Sequence, residues 1–154
     1  MEGISGKQLD VEINARIFSP KGELVTETKG MAPKKNKLAT VEVPLPVVAV
    51  SNPQLWSCET PNLYRAEITL VRDGKVIDNV TEKFGIRTLE YSPEFGFKLN
   101  GKKLFLKGIA NHHDLGAVGA AAFDRAIERQ FELLKKFGYN HVRTSHNPYS
   151  KSFM

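Results

Sequence analysis

The stretch DRAIERQFELLKKFGYNHVRTSHNP, residues 124–148, decides the fold class of the second half of the chain. Its apolar side chains recur at intervals of three and four residues, which is typical of one face of a helix. These residues are Ile127, Phe131, Leu134 and Phe137. Asp124 stands where an N-cap is expected, and Gly138 stands where a C′ glycine would end the helix. A short strand over residues 141–144 follows and is stopped by Pro148.

Another strand precedes this helix. In GFKLNGKKLFLKGIA, residues 96–110, the pair Asn100 and Gly101 predicts a turn. The turn joins a short strand to an apolar strand that ends near Ala110. The order strand, helix, strand indicates a β-α-β unit, because parallel strands need a long crossover connection. The second half of the chain therefore predicts a parallel sheet.

The first half of the chain has the two-residue period of β-strands. Residues 9–19 (LDVEINARIFS) alternate apolar and polar side chains, and residues 38–47 (LATVEVPLPV) predict a further strand. Within residues 63–86, two alternating runs meet at Asp73 and Gly74, a pair typical of a tight hairpin. Short antiparallel strands joined by such turns favour a β-sandwich.

The change of period marks a domain boundary, which we expect between Thr88 and Pro93. We therefore predict a β-sandwich domain over residues 1–90 and a second domain over residues 91–154. The predicted fold class is mainly β, with the sandwich followed by a β-α-β piece of a parallel sheet.

Composition narrows the class of function. The 154 residues are 41% hydrophobic and 25% charged, with a formal net charge of +5. The densest basic patch, PKKNK at residues 33–37, lies among breakers and lacks interleaved aromatic residues, so no nucleic acid is expected as a partner. No apolar run reaches the roughly 18 residues of a membrane helix, so no membrane is expected either. The single cysteine, Cys58, excludes an internal disulfide.

Two polar clusters follow the predicted parallel strands at the points where those strands end. The first cluster is Asn111, His112, His113 and Asp114, and the second is Ser145, His146 and Asn147. Because the carboxyl ends of parallel strands meet at one edge, we expect the two clusters to lie together, with Arg143 nearby. In α/β barrels this edge carries the active site.

Three interpretations of these clusters stay open on the residues alone. A metal site would use His112, His113, Asp114 and His146. Neighbouring residues of an extended segment point in opposite directions, however, which disfavours one ion shared by adjacent histidines. A dinucleotide loop would need three glycines, and only Gly116 and Gly119 are present. In the third interpretation the glycines form turns and the histidines donate hydrogen bonds to the loop backbone.

Four segments resemble the glycoside hydrolase family 2 enzymes, which include β-galactosidases and β-glucuronidases. They are LWSCETPNLY (55–64), FGIRT (84–88), GFKLNGKKLFLKGIANHHDLGAVGAA (96–121) and DRAIERQFELLKKFGYNHVRTSHNP (124–148). The resemblance runs from about Val11 to the last residue. It implies an immunoglobulin-like β-sandwich, followed by the first β-α-β piece of the TIM barrel that holds the active site of the family.

The resemblance also implies a sugar-binding role for three residues. His112 matches the histidine that follows the first barrel strand of the family, and Arg143 and His146 match its Arg-x-Ser-His-x-Pro motif. The chain departs from the family at Ala110, where many relatives carry asparagine or cysteine. Imidazoles donate hydrogen bonds to sugar hydroxyls, and such bonds strengthen as the transition state develops.

The function that the resemblance implies is that of a retaining glycosidase for β-glycosidic bonds, with β-galactosidase as the first expectation. Both catalytic glutamates of the family lie on later strands, so we expect no catalytic residue in this chain and no hydrolysis by it alone. No cofactor is expected in this stretch, and Mg²⁺ or Na⁺ are the ions expected of a whole enzyme. The expected partners are a β-galactoside or related carbohydrate, and further copies of the chain in a homo-oligomer formed through exposed apolar surfaces. A non-catalytic β-sandwich interaction module and a metal-dependent barrel hydrolase stay as alternatives.

Overall fold

The structure is a computed structural model. It describes residues 10–32, 42–112, 114–121, 123–146, 148–151 and 153–154. The chain divides into two compact units, Met1–Arg87 and Thr88–Met154. Strands dominate both units, so the mainly β fold class is confirmed. No helix in the described ranges is long and apolar enough to cross a membrane.

The first unit contains a four-stranded antiparallel sheet in the order β2-β1-β3-β4. Its strands are β1 (Glu12–Phe18), β2 (Leu24–Met31), β3 (Tyr64–Arg72) and β4 (Lys75–Phe84). Val11, Ala15 and Tyr64 are its buried apolar residues. The hairpin predicted at Asp73 and Gly74 is confirmed, with φ angles of 50° and 72° that fit a two-residue turn between twisted strands.

Two features of this unit differ from the sequence prediction. Strand β2 was not predicted, since its alternating positions are occupied by threonine and glycine rather than by large apolar residues. The strand predicted over residues 38–47 is wrong where it can be compared, because residues 42–47 form no strand and residues 38–41 lie outside the described residues. Pro44 and Pro46 have no backbone N–H, so alternate residues of this segment cannot donate to a strand ladder.

The second unit begins with a three-stranded antiparallel sheet and continues with the β-α-β unit. The sheet consists of β5 (Leu89–Ser92), β6 (Gly96–Leu99) and β7 (Lys102–Lys103). The β-α-β unit consists of β8 (Gly108–Asn111), a 3-10 turn (Gly116–Val118), α1 (Asp124–Lys136) and β9 (His141–Thr144). Strands β8 and β9 pair in parallel, as predicted.

The single apolar strand predicted to follow the Asn100-Gly101 turn is divided in two. Strand β7 ends at Lys103, and β8 extends to Asn111 instead of ending at Ala110. Between them, the side chain of Asn140 substitutes for a neighbouring strand. Its Oδ1 accepts a hydrogen bond of 2.8 Å from the backbone N–H of Lys107, and its Nδ2 donates to the carbonyl of Phe105 at 3.1 Å.

Helix α1 ends as its sequence predicts. Its N-cap is Phe123, one residue before Asp124, which was predicted as the cap. Gly138 adopts a φ of 82°. The N–H groups of Gly138 and Tyr139 donate to the carbonyls of Lys135 and Leu134, each at 3.0 Å, which is the Schellman pattern. Asp124 is the first helical residue rather than the N-cap. Its negative charge therefore interacts favourably with the positive end of the helix dipole.

Candidate functional site

The parallel pairing of β8 and β9 brings the ends of both strands to one edge. Gly108 pairs with His141 at the start of the strands, and Asn111 pairs with Thr144 at their ends. The residues that follow Asn111 and Thr144 therefore leave the sheet on the same side. Two segments far apart in the sequence meet there.

His112 and His146 lie side by side at this edge. Their ring centroids are 6.0 Å apart and the ring planes are inclined by 74°, so the rings meet edge to face. Both side chains are exposed. His146 has a φ of 57°, a left-handed conformation that is uncommon for residues other than glycine and that clusters at functional sites. The structure thus presents two solvent-accessible imidazoles at one point.

Asn111, the last residue of β8, connects the end of this strand to the segment that follows β9. It is 7% exposed, and Ser145 is 2% exposed. The backbone N–H of Ser145 donates to the carbonyl oxygen of Asn111 at 3.0 Å. The hydroxyl groups of Ser145 and Tyr149 donate to the same oxygen. One backbone carbonyl therefore receives three donors from the segment that carries His146.

The side chain of Asn111 is paired with helix α1. Its Nδ2 donates to Oε1 of Gln130 at 3.2 Å, and Nε2 of Gln130 donates to Oδ1 of Asn111 at 3.0 Å. Sequence analysis did not single out Gln130 or Tyr149. The available signal was the position of Gln130, which comes three residues after the buried Ile127 and therefore shares its face of the helix.

A pocket of about 70 Å³ lies next to His112. Its lining residues are Asn111, His112, Leu115, Ala120, Ile127, Gln130, Tyr149, Ser150 and Phe153. Phe153 meets Phe131 edge to face at a centroid distance of 4.8 Å, and its centroid lies 4.0 Å from that of Tyr149. The surface of the pocket is largely apolar.

The other predicted site residues are not gathered at the histidine pair. Arg143 is exposed and pairs in register with Ala110, and within the described ranges no ion pair or hydrogen bond joins it to His112 or His146. Asp114 accepts a hydrogen bond of 3.1 Å from the N–H of Gly116, two residues further along the chain. His113 and Asn147 lie outside the described residues.

The described residues do not fit a metal centre. Among them, no group of three or more histidine, cysteine, aspartate or glutamate side chains could hold an ion. Mg²⁺ requires about six ligands that are mostly oxygen atoms, and His112 and His146 offer only two nitrogen atoms.

Two carboxylates of α1, those of Glu128 and Glu132, are engaged by Arg125 of the same helix. Arg125 donates to both oxygens of Glu132, at 2.8 and 3.1 Å, and to Glu128 at 3.1 Å. The hydrogen bonds from Arg125 hold the pKa of Glu132 below its ordinary value. These acidic residues are therefore held as ion-paired carboxylates on the surface of the helix.

Comparison with known proteins assigns this chain to a family. The family model for glycosyl hydrolases family 2 matches residues 1–87, and the model for the TIM barrel domain of the same family matches residues 94–154. The chain belongs to glycosyl hydrolases family 2. Its fold is therefore an immunoglobulin-like domain followed by a β-α-β unit of a TIM barrel.

Individual relatives agree with this assignment. Beta-galactosidase BoGH2A of Bacteroides ovatus is 44% identical over 101 residues, which cover 66% of this chain and 12% of the relative. The crystal structure of a family 2 member from Bacteroides cellulosilyticus is 42% identical with a TM-score of 0.83, covering 95% of this chain and 20% of that chain. Beta-glucuronidase 2 of Bacteroides uniformis, covalently bound to cyclophellitol-6-carboxylate aziridine, is 30% identical with a TM-score of 0.83. The match between the two structures covers 97% of this chain and 18% of the β-glucuronidase chain. The chain thus spans a fifth or less of the length of these relatives.

Proposed function

We propose that this chain supplies the sugar-binding edge of a retaining β-glycosidase, with a β-galactoside as the first substrate. The observation that carries this proposal is the meeting of His112 and His146 at the carboxyl ends of two parallel barrel strands. In TIM barrels this is the face where substrates bind. Two exposed imidazoles at one point can each donate a hydrogen bond to a hydroxyl group of the same sugar ring.

Arg143 is the third sugar-binding residue of the proposal, and it acts from the strand rather than from the histidine pair. It lies on β9, paired with Ala110. A guanidinium group presents several donors in a fixed plane, which suits an acceptor oxygen on the sugar or on a carboxylate of the whole enzyme. Its exposure in this chain leaves those donors accessible.

The galactoside is preferred over the glucuronide because of the relatives. Among the curated relatives, a β-galactosidase is 44% identical over 66% of this chain, and a β-glucuronidase is 36% identical over 79% of it. The two sugars differ in the group at C6, hydroxymethyl in one and carboxylate in the other, and in the configuration of the hydroxyl group at C4, so direct comparison of the two ligands tests this preference.

The chain alone does not hydrolyse the sugar in this proposal. A retaining glycosidase needs two carboxyl groups about 5–5.5 Å apart at the bond that breaks. Asp114 accepts a hydrogen bond from the N–H of Gly116, Glu94 accepts one from Ser92, and Glu128 and Glu132 are ion-paired with Arg125 on the helix surface. The acid/base and the nucleophile of the whole enzyme are therefore contributed by other residues than these.

A hydrolysis assay tests the catalytic part of the proposal. The purified chain is incubated with nitrophenyl β-galactoside and nitrophenyl β-glucuronide, and release of nitrophenol is compared with that in buffer. We expect no release above the buffer rate with either compound. Release that persists through further purification and falls in the His112→Asn variant would overturn the proposal that the chain lacks the catalytic pair.

A further inference from the structure

The two histidines of the candidate site are each attached to a residue that is buried and hydrogen-bonded. His112 follows Asn111, and His146 follows Ser145. Asn111 and Ser145 are joined by a backbone hydrogen bond of 3.0 Å. Because the imidazoles are exposed, their own surroundings do little to fix them. The positions of their Cα atoms depend on the buried residues that precede them.

Asn111 is held both by the segment that follows β9 and by helix α1. Its backbone carbonyl accepts hydrogen bonds from the hydroxyl groups of Ser145 and Tyr149, and its side-chain amide is paired through two hydrogen bonds with Gln130 on α1. With the backbone N–H of Ser145, three donors share the two lone pairs of this oxygen, so none of its accepting capacity is left free. A buried amide that forms both an accepting and a donating bond with one partner has a single preferred orientation.

This arrangement differs from ordinary packing of a β-α-β unit. Apolar side chains alone could hold helix α1 in the unit, and Ile127 on the same face of the helix is buried. A paired amide in that interface adds directional bonds, which fix a register where apolar contacts tolerate sliding. The residue whose orientation these bonds fix is Asn111, which immediately precedes His112 in the chain.

We propose that Gln130 and Tyr149 are positioning residues, which act through Asn111 to set the separation and mutual angle of the His112 and His146 imidazoles. The inference rests on the proposed function, because the reason to fix two exposed imidazoles is that both contact one sugar. Gln130 positions the end of β8 from the helix. Tyr149 ties the segment after β9 to the same point.

Nuclear magnetic resonance of the full chain, labelled with ¹³C at histidine, tests this inference. The intensities of the cross-peaks between the ring protons of His112 and His146 report their geometry without any ligand. Affinity for methyl β-galactoside is measured on the same samples from the shifts of the ring signals. The variants are Tyr149→Phe, which removes one hydroxyl group, and Gln130→Leu, which leaves the amide of Asn111 without its partner. The matched control is Tyr139→Phe, the same change at a partly exposed tyrosine after α1.

We expect both variants to weaken the cross-peaks and to bind the galactoside about ten-fold more weakly, while Tyr139→Phe changes neither. Tyr149→Phe decides the matter if Gln130→Leu does not fold. Unchanged cross-peaks in Tyr149→Phe would overturn the inference, even with a lower melting temperature, since the residue would then serve stability alone. Altered cross-peaks with unchanged affinity would overturn it as well. If the unsubstituted chain binds no galactoside, the proposed function fails, and the cross-peaks alone still decide whether Gln130 and Tyr149 position the rings.

Discussion

The ring of His112 meets the ring of His146 edge to face at a centroid distance of 6.0 Å, although the two residues follow different strands. Helix α1 separates them in the sequence, and the parallel pairing of β8 with β9 brings them together in space. The relationship is thus a product of the β-α-β topology. The two imidazoles meet only while the β-α-β unit is folded, so several of the predictions below concern its stability.

The C-terminal cap of α1 should be sensitive to substitution. Gly138 has a φ of 82°, a conformation in which a β-carbon is unfavourable. We expect Gly138→Ala to lower the free energy of unfolding by about 1 kcal/mol. Gly138→Asn is the control, since asparagine tolerates this conformation better and should cost less. Urea denaturation monitored by circular dichroism measures both, and equal losses would contradict the conformational explanation.

The glycines of the first unit should differ sharply in what they tolerate. A β-carbon on Gly85 would lie 2.8 Å from Cβ of Trp56, an atom held by the backbone. A β-carbon on Gly30 would lie 2.6 Å from Cδ2 of Leu45, the far end of a flexible side chain. We therefore expect Gly85→Ala to destabilise the chain by roughly 2 kcal/mol and Gly30→Ala by less than about 1 kcal/mol. A thermal denaturation series checks the order, and the reverse order would be inconsistent with the packing at Trp56.

The ion pair of α1 should be visible in the titration of Glu132. Hydrogen bonds from Arg125 lower the pKa of Glu132 in the folded chain. A lowered pKa contributes stability above the ordinary carboxyl range, and this contribution is lost as the pH falls through the lowered value. In Arg125→Gln the pKa of Glu132 should rise towards its ordinary value, whereas Glu128→Gln should leave it low. A carboxyl carbon titration measures this, and an unchanged midpoint in Arg125→Gln would show that the pair does not persist in solution.

Self-association should depend on exposed aromatic residues. Phe105 is 79% exposed and Phe137 is 75% exposed, which is unusual for phenylalanine. We expect the apparent mass from light scattering to rise with concentration, because exposed apolar surface drives association. The double variant Phe105→Ser and Phe137→Ser should shift the chain towards the monomer. A concentration-independent monomeric mass for the unsubstituted chain would rule out this prediction.

The sequence predicted those parts of the fold that depend on local chemistry. The Asp73-Gly74 hairpin, the bounds of β9 and the end of α1 at Gly138 each follow from residue types within a few positions. The meeting of the two histidine segments also followed, because strand order and parallel pairing decide it. These features needed no knowledge of distant contacts.

The remaining features depend on contacts between distant residues. Asn140 takes the place of a strand for residues 105–107, and no local pattern distinguishes that segment from a strand. The pairing of Gln130 with Asn111 was also not visible, since glutamine on a helix is usually solvated. Phe137 continues the apolar spacing of α1 but lies beyond the helix, where Gly138 turns the chain away.

The measurement that tests the central claim most directly is a titration of the ¹³C-histidine-labelled chain with methyl β-galactoside, followed by nuclear magnetic resonance. We predict shifts of the ring signals of His112 and His146, with affinity about ten-fold weaker in His112→Asn and in His146→Asn, as the loss of one hydrogen bond requires. His141→Asn, a change at the opposite end of β9, is the control and should bind as the unsubstituted chain does. Ring signals of His112 and His146 that do not move, or equal loss of affinity in all three variants, would contradict a sugar-binding role for this edge.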